Sequence, residues 1–120
     1  MRFTLGKEKK LKSRKSIELL FKKRQQVRKG ALKVIYLKEK GQQPHQIGVS
    51  VSKRFFKKAP DRNRIKRLIK EAYRLQQHDI SCAIEEHYKM MFVFQSPQTP
   101  EYHTIERWMK GIIKQLNEKQ

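Results

Sequence analysis

A mixed α+β fold is predicted for this chain: a two-layer α/β sandwich with helices packed on a small central sheet. Three observations carry that expectation. β-Branched and aromatic runs at 31–38, 47–52 and 89–94 have the length and composition of strands. Apolar residues at i, i+3, i+4 spacing mark helices over 13–24, 60–76 and from Thr99 to the end. Elements of this length in mixed order pack as helices on a sheet.

Each element has its own local signal. Residues 1–12 read as a basic N-terminal arm with Phe3, Leu5 and Leu11 as its large apolar anchors. Ser13 can cap a short helix over 13–24, whose Ile17, Leu20 and Phe21 share one face, with Lys22, Lys23 and Arg24 at the negative end of its dipole. A short strand fits near Gln26–Gly30. ALKVIYLK (31–38) is a strand, GQQPHQ (41–46) a turn punctuated by Gly41 and Pro44, and IGVSVS (47–52) a second strand of unusual pattern. Alternation points Ile47, Val49 and Val51 one way and Gly48, Ser50 and Ser52 the other, so one face is apolar and its reverse small and polar. In the helix over 60–76, Asp61 is the expected cap, and Ile65, Leu68, Ile69, Ala72 and Leu75 form the apolar stripe. Residues 77–87 read as an irregular connector and KMMFVF (89–94) as a buried strand. Thr99-Pro100-Glu101 predicts a cap, a proline at N1 and an acid in the first turn. Tyr102, Ile105, Trp108, Met109, Ile112, Ile113 and Leu116 then recur at helical spacing as core.

The length of 120 residues fits a single domain spanning 1–120. Thirty Lys and Arg against eleven Asp and Glu give a net charge of +19. Residues 1–74 hold 25 basic and 5 acidic side chains, whereas residues 75–120 hold 5 and 6. One electropositive surface for a polyanion explains such asymmetry better than general basicity does. No apolar run approaches the ~20 residues of a membrane span, and the N-terminus has no apolar stretch of a secretory signal. A single cysteine, Cys82, excludes an internal disulfide and suits a reducing cytoplasm.

The informative stretch is DRNRIKRLIKEAYR (Asp61–Arg74). At 100° per residue from Ile65, the apolar stripe lies between about −80° and +80°. Lys66, Lys70, Arg74, Arg67 and Asn63 fall between about +100° and +200°, with Arg62 and Arg64 at the stripe's borders. One side anchors and the other is full of donors. Guanidinium forks match phosphate oxygens, and an asparagine can read a base edge or a 2′-hydroxyl. Upstream, Lys53-Arg54-Phe55-Phe56-Lys57-Lys58 places cations beside aromatics, the pairing that single-stranded nucleic acid needs. The core is the fate expected for at least one of the two phenylalanines. A lysine-rich helix face is in most proteins only a solvated surface; the preceding basic run and the charge of the whole half argue against that here.

SVSKR (Ser50–Arg54) followed by RNRIKRLIKEAYR (Arg62–Arg74) resembles the signature of the bacterial ribonuclease P protein subunit family. LKSRKSIELLF (Leu11–Phe21), the GVSVS strand, the length and the order of elements match as well. The resemblance covers 11–75 closely and 88–116 by pattern. It implies an αβββαβα sandwich with a left-handed βαβ crossover. It also implies that catalysis of precursor-tRNA 5′ leader removal belongs to an RNA subunit and its magnesium, with no catalytic side chain, metal site or cofactor in this chain. The implied partners are the ribonuclease P RNA and precursor tRNA, with no membrane and no obligate protein partner. The RNA-binding set it implies is Arg62, Asn63, Arg64, Lys66 and Arg67, extended by charge and position to Lys53, Arg54, Lys70 and Arg74. The family's leader cleft, between first helix and sheet, carries onto Ile17, Phe21 and Tyr36, with Ser50 on the small-residue face. In departure from the family, Ile17 replaces a common second aromatic. The connector Phe55–Asp61 is one residue longer than a common form, with Lys57 near the usual glycine and Pro60 in place of an aliphatic.

Three other readings share parts of this pattern. A basic ribosomal or other structured-RNA-binding protein would share the charge but would not require the small-faced strand. A metal nuclease would need several convergent carboxylates, and the chain has two aspartates, Asp61 and Asp79; His78, Cys82 and His87 match no strong zinc spacing. A DNA-binding helix-turn-helix would not have strands flanking its basic helix.

Overall fold

A computed structural model describes residues 25–41, 44–80 and 86–118. Four strands, β1 (Gln25–Lys29), β2 (Leu32–Lys40), β3 (Gln46–Val51) and β4 (Glu86–Phe94), and two helices, α1 (Ala59–Gln76) and α2 (Tyr102–Glu118), make up these residues, with a 3-10 turn at Gln77–Asp79. The sheet order is β1-β2-β4-β3. β1–β2 and β2–β4 are antiparallel, while β3 and β4 run parallel with α1 in the connection between them. The expected helix over 13–24 lies outside the described residues.

Strand periodicity sorts the side chains into two layers. Leu32, Val34 and Tyr36 pair with Phe94, Phe92 and Met90, and these in turn with Val51, Val49 and Ile47. That face is the main core, closed by Ile65, Ile69, Ala72 and Tyr73 of α1 and by Ile105, Met109, Ile112, Ile113 and Leu116 of α2. Burial of Tyr73 among them pushes its phenol up, out of the titrating range. The reverse face carries a smaller buried cluster, Ile35, Leu37 and Met91, with Val93 packed on it.

Two turns hold the sheet ends. Gly30 adopts φ +58° in the β1–β2 turn, a left-handed conformation that glycine adopts without strain. Trp108 of α2 lies so close that a Cβ at Gly30 would stand 2.1 Å from its ring. At the other end, the Tyr88 N–H donates to His45 Nδ1 at 2.8 Å, and burial lowers the His45 pKa, as an imidazole accepting at Nδ1 requires.

Three local expectations are corrected. Asp61 is not the α1 cap: Lys58 is, with extended backbone, and its carbonyl accepts from the N–H groups of Asp61 and Arg62 at 3.2 and 3.3 Å. Pro60 is already in the first turn, where a missing N–H costs nothing, so the helix begins three residues earlier than a cap at Asp61 would have it. Leu75 is 40% exposed and Tyr73 takes its place in the core. The buried arc is therefore rotated toward the Tyr73 side, with Leu68 only partly buried. α2 starts at Tyr102, because the Glu101 carbonyl accepts the first bonds from Thr104 and Ile105. Pro100 and Glu101 thus precede the helix instead of opening it.

Candidate nucleic-acid interface

Strand β3 and helix α1 bring the predicted donors together. β3 ends at Val51 on its pairing with Phe94, and the chain turns through Ser52–Phe55 into the connector. Phe56 is buried against Phe94, ring centroids 6.2 Å apart, and anchors that connector to the sheet. Lys53 and Arg54 are left exposed on the turn.

On α1, Asn63, Arg64 and Arg67 are exposed, and Lys66 and Lys70 half-buried. The amphipathic division explains this: the apolar arc is pinned to β3, β4 and α2, and the donors occupy what remains of the circumference. Among the described residues, no carboxylate forms an ion pair with Lys53, Arg54, Arg64, Lys66, Arg67 or Lys70. Their charges face solvent together, which costs mutual repulsion and favours a bound polyanion.

Two members of the predicted set are partly engaged within the protein. Arg62 lies about 60° from Ile65 on the α1 circumference, inside the buried arc. Its Nη1 donates to the carbonyls of Phe56 and Lys57 at 2.8 and 2.9 Å, strapping the connector onto the first turn of the helix. Arg74 pairs with Glu71 through two guanidinium N–H groups, and this hydrogen bonding holds the Glu71 carboxyl below its ordinary pKa. The electropositive face is thus strongest over the first three turns of α1 and fades toward Arg74.

Of the predicted leader-cleft residues, the structure describes Tyr36 and Ser50. Ile17 and Phe21 lie outside the described residues. Tyr36 is buried in the main core, edge-on to Tyr88 at 5.9 Å between centroids. Ser50 pairs with Val93 on the reverse face and is exposed. Tyr36 pairs through Met90 with Ile47, three residues from Ser50, and an odd spacing puts the two on opposite faces of the sheet. They do not line one surface.

Sequence reasoning left Phe55 undecided, and the structure exposes it, with the Arg54 guanidinium 5.7 Å from its ring centroid. No periodicity reaches into a turn, so only the folded backbone chose between Phe55 and Phe56. Of the residues weighed as metal ligands, Cys82 lies outside the described residues. His87 is buried and donates from Nδ1 to the Gly41 carbonyl at 3.2 Å, and His78 is exposed beside Asp79. Among the described residues no three His, Cys, Asp or Glu side chains are grouped to hold a metal, and no helix is long and apolar enough to cross a membrane.

The chain is similar to known proteins in sequence and in fold. A family model described as Ribonuclease P matches residues 5–117. Ribonuclease P protein components from two Porphyromonas gingivalis strains are each 40% identical over 70 residues, 55% of this chain and 51% of theirs. The chain thus spans about half the length of the curated relatives it matches. Its fold resembles the RNase P protein of Staphylococcus aureus, with TM-score 0.72 and 20% identity over 90% of this chain and 94% of that one. It also resembles the RNase P protein of Thermotoga maritima, with TM-score 0.71 and 19% identity over 88% and 96%. On the breadth of the family match, this chain belongs to the ribonuclease P protein family.

Proposed function

We propose that the chain is the protein subunit of a ribonuclease P ribonucleoprotein, binding its RNA subunit and precursor tRNA during removal of the 5′ leader. The observation that carries this is the cluster of exposed and half-buried cations from Lys53 to Lys70, held on one turn and one helix, in which Lys53, Arg54, Arg64, Lys66, Arg67 and Lys70 form no ion pair with an acid among the described residues. Arg64, Lys66, Arg67 and Lys70 supply phosphate contacts and Asn63 a directional amide. Magnesium bound with the RNA supplies the hydrolytic chemistry; the side chains of this protein supply charge and position. Ile17 and Phe21, outside the described residues, remain proposed leader contacts, together with the small-residue face that carries Ser50 and without Tyr36.

Reconstitution tests the proposal. The protein is added to a bacterial ribonuclease P RNA at magnesium too low for the RNA to cleave alone. Restored cleavage at the mature tRNA 5′ end is expected. Binding to structured RNAs with no effect on precursor cleavage would instead make this a general structured-RNA-binding protein.

A further inference from the structure

Resting on the RNA-binding role above, we infer that Arg54 and Phe55 form a stacking platform for one unpaired base of a bound RNA strand, where the chain passes from β3 to α1. Among the described residues, Phe55 and Leu75 are the exposed large hydrophobic side chains, and only Phe55 stands among cations. The adjacent phenylalanine behaves oppositely. Phe56 is 8% exposed against Phe94, while Phe55 is 38% exposed. The turn splits the pair into an anchor and a projecting ring.

The backbone on both sides of that ring is held before any ligand arrives. The Arg54 N–H donates to Ser52 Oγ and the Phe56 N–H to the Ser52 carbonyl, each at 3.2 Å. On the far side, Arg62 clamps the Phe56 and Lys57 carbonyls. Both flanks of Phe55 are therefore fixed, so little conformational entropy is lost when something stacks on it. The Arg54 guanidinium sits over the ring, a cation–π arrangement that also keeps a phosphate partner beside a stacked base.

The surroundings select the ligand. Lys53, Lys57, Lys58 and Arg64 are exposed nearby in sequence on the turn, connector and helix. One isolated aromatic in a field of cations suits a base on a phosphate chain. An apolar protein partner would need a contiguous apolar patch, which a lone ring does not provide. Every base has a π-face, so the platform would accept an unpaired nucleotide without reading its identity. That nucleotide can come from the RNA subunit or from the 5′ leader of the substrate.

The experiment compares Phe55→Ala, Phe55→Leu and Phe55→Trp with the unmodified chain, each assembled with a bacterial ribonuclease P RNA. Affinity is measured for the RNA subunit, and affinity of the holoenzyme for precursor and for mature tRNA, across a salt series. Phe55→Ala is expected to weaken one of these by about 5- to 100-fold, with the log–log salt slope unchanged because no phosphate contact is lost. Phe55→Leu should weaken it similarly, and Phe55→Trp should keep or exceed the original affinity. A loss toward the RNA subunit assigns the base to it; a loss toward precursor but not mature tRNA assigns it to the leader. Unchanged affinities in Phe55→Ala, or full activity of Phe55→Leu, overturn the platform while leaving the subunit role standing. Failure of the unmodified protein to restore cleavage overturns both. Thermal unfolding of each variant checks that the exposed position leaves the fold intact.

Discussion

Two arginines of one motif have different work, and their substitutions should separate it. Arg62 Nη1 serves the carbonyls of Phe56 and Lys57, whereas Arg67 is exposed on the donor face. Arg62→Ala removes charge-assisted bonds to backbone that orders the β3–α1 connector. It should cost roughly 1–3 kcal/mol of folding stability, given what such bonds contribute. Arg67→Ala should leave the denaturation midpoint within about 0.5 kcal/mol of the original, and lower RNA affinity together with up to about one unit of log–log salt slope. Equilibrium denaturation and salt-dependent RNA binding read the two effects. Equal stability losses in both variants would remove the strap from Arg62.

At the scale of elements, the β1–β2 turn and α2 depend on each other. Gly30 has φ +58° and its missing Cβ is the space that the Trp108 ring occupies. Gly30→Ala therefore meets two penalties, left-handed backbone and overlap with an aromatic. It should destabilise by about 2 kcal/mol or more. Gly30→Ala with Trp108→Ala should recover part of the overlap cost but none of the backbone cost, so the double-variant coupling measures them separately. Additive losses would mean that Trp108 does not press on this turn. β1 is an edge strand tied to the fold by its ladder with β2, by Val27 in the main core, by the Arg28–Gln95 hydrogen bond and by Lys29 lying along Gly111 of α2.

For the whole molecule, charge dominates. A net +19 on 120 residues, with the cations concentrated before residue 75, favours expansion in low salt. The melting temperature should rise by a few degrees between about 20 and 500 mM salt as screening shortens the range of repulsion. It should rise further in excess ribonuclease P RNA at low salt, because a ligand of the folded state alone stabilises by mass action. Differential scanning fluorimetry across both series reads this. A melting temperature that is flat in salt would show that the folded state is not under electrostatic strain.

Periodicity and composition alone predicted the class of fold and the basic helix face, and they pointed to a polyanion as partner. Helical and strand periods over residues 65–75, 102–116 and 31–38 are local properties, and net charge is a sum that needs no coordinates. Most donors on Asp61–Arg74 were legible for the same reason, since helical geometry fixes their angles relative to the apolar stripe. The tertiary structure decided matters that depend on what lies across from a residue. It rotated α1 so that Tyr73 is buried and Leu75 is not, drew Arg62 back onto the connector, and separated Tyr36 from Ser50 across the thickness of the sheet. It also chose Phe55 over Phe56 for solvent, because a turn has no period from which an outward direction can be read.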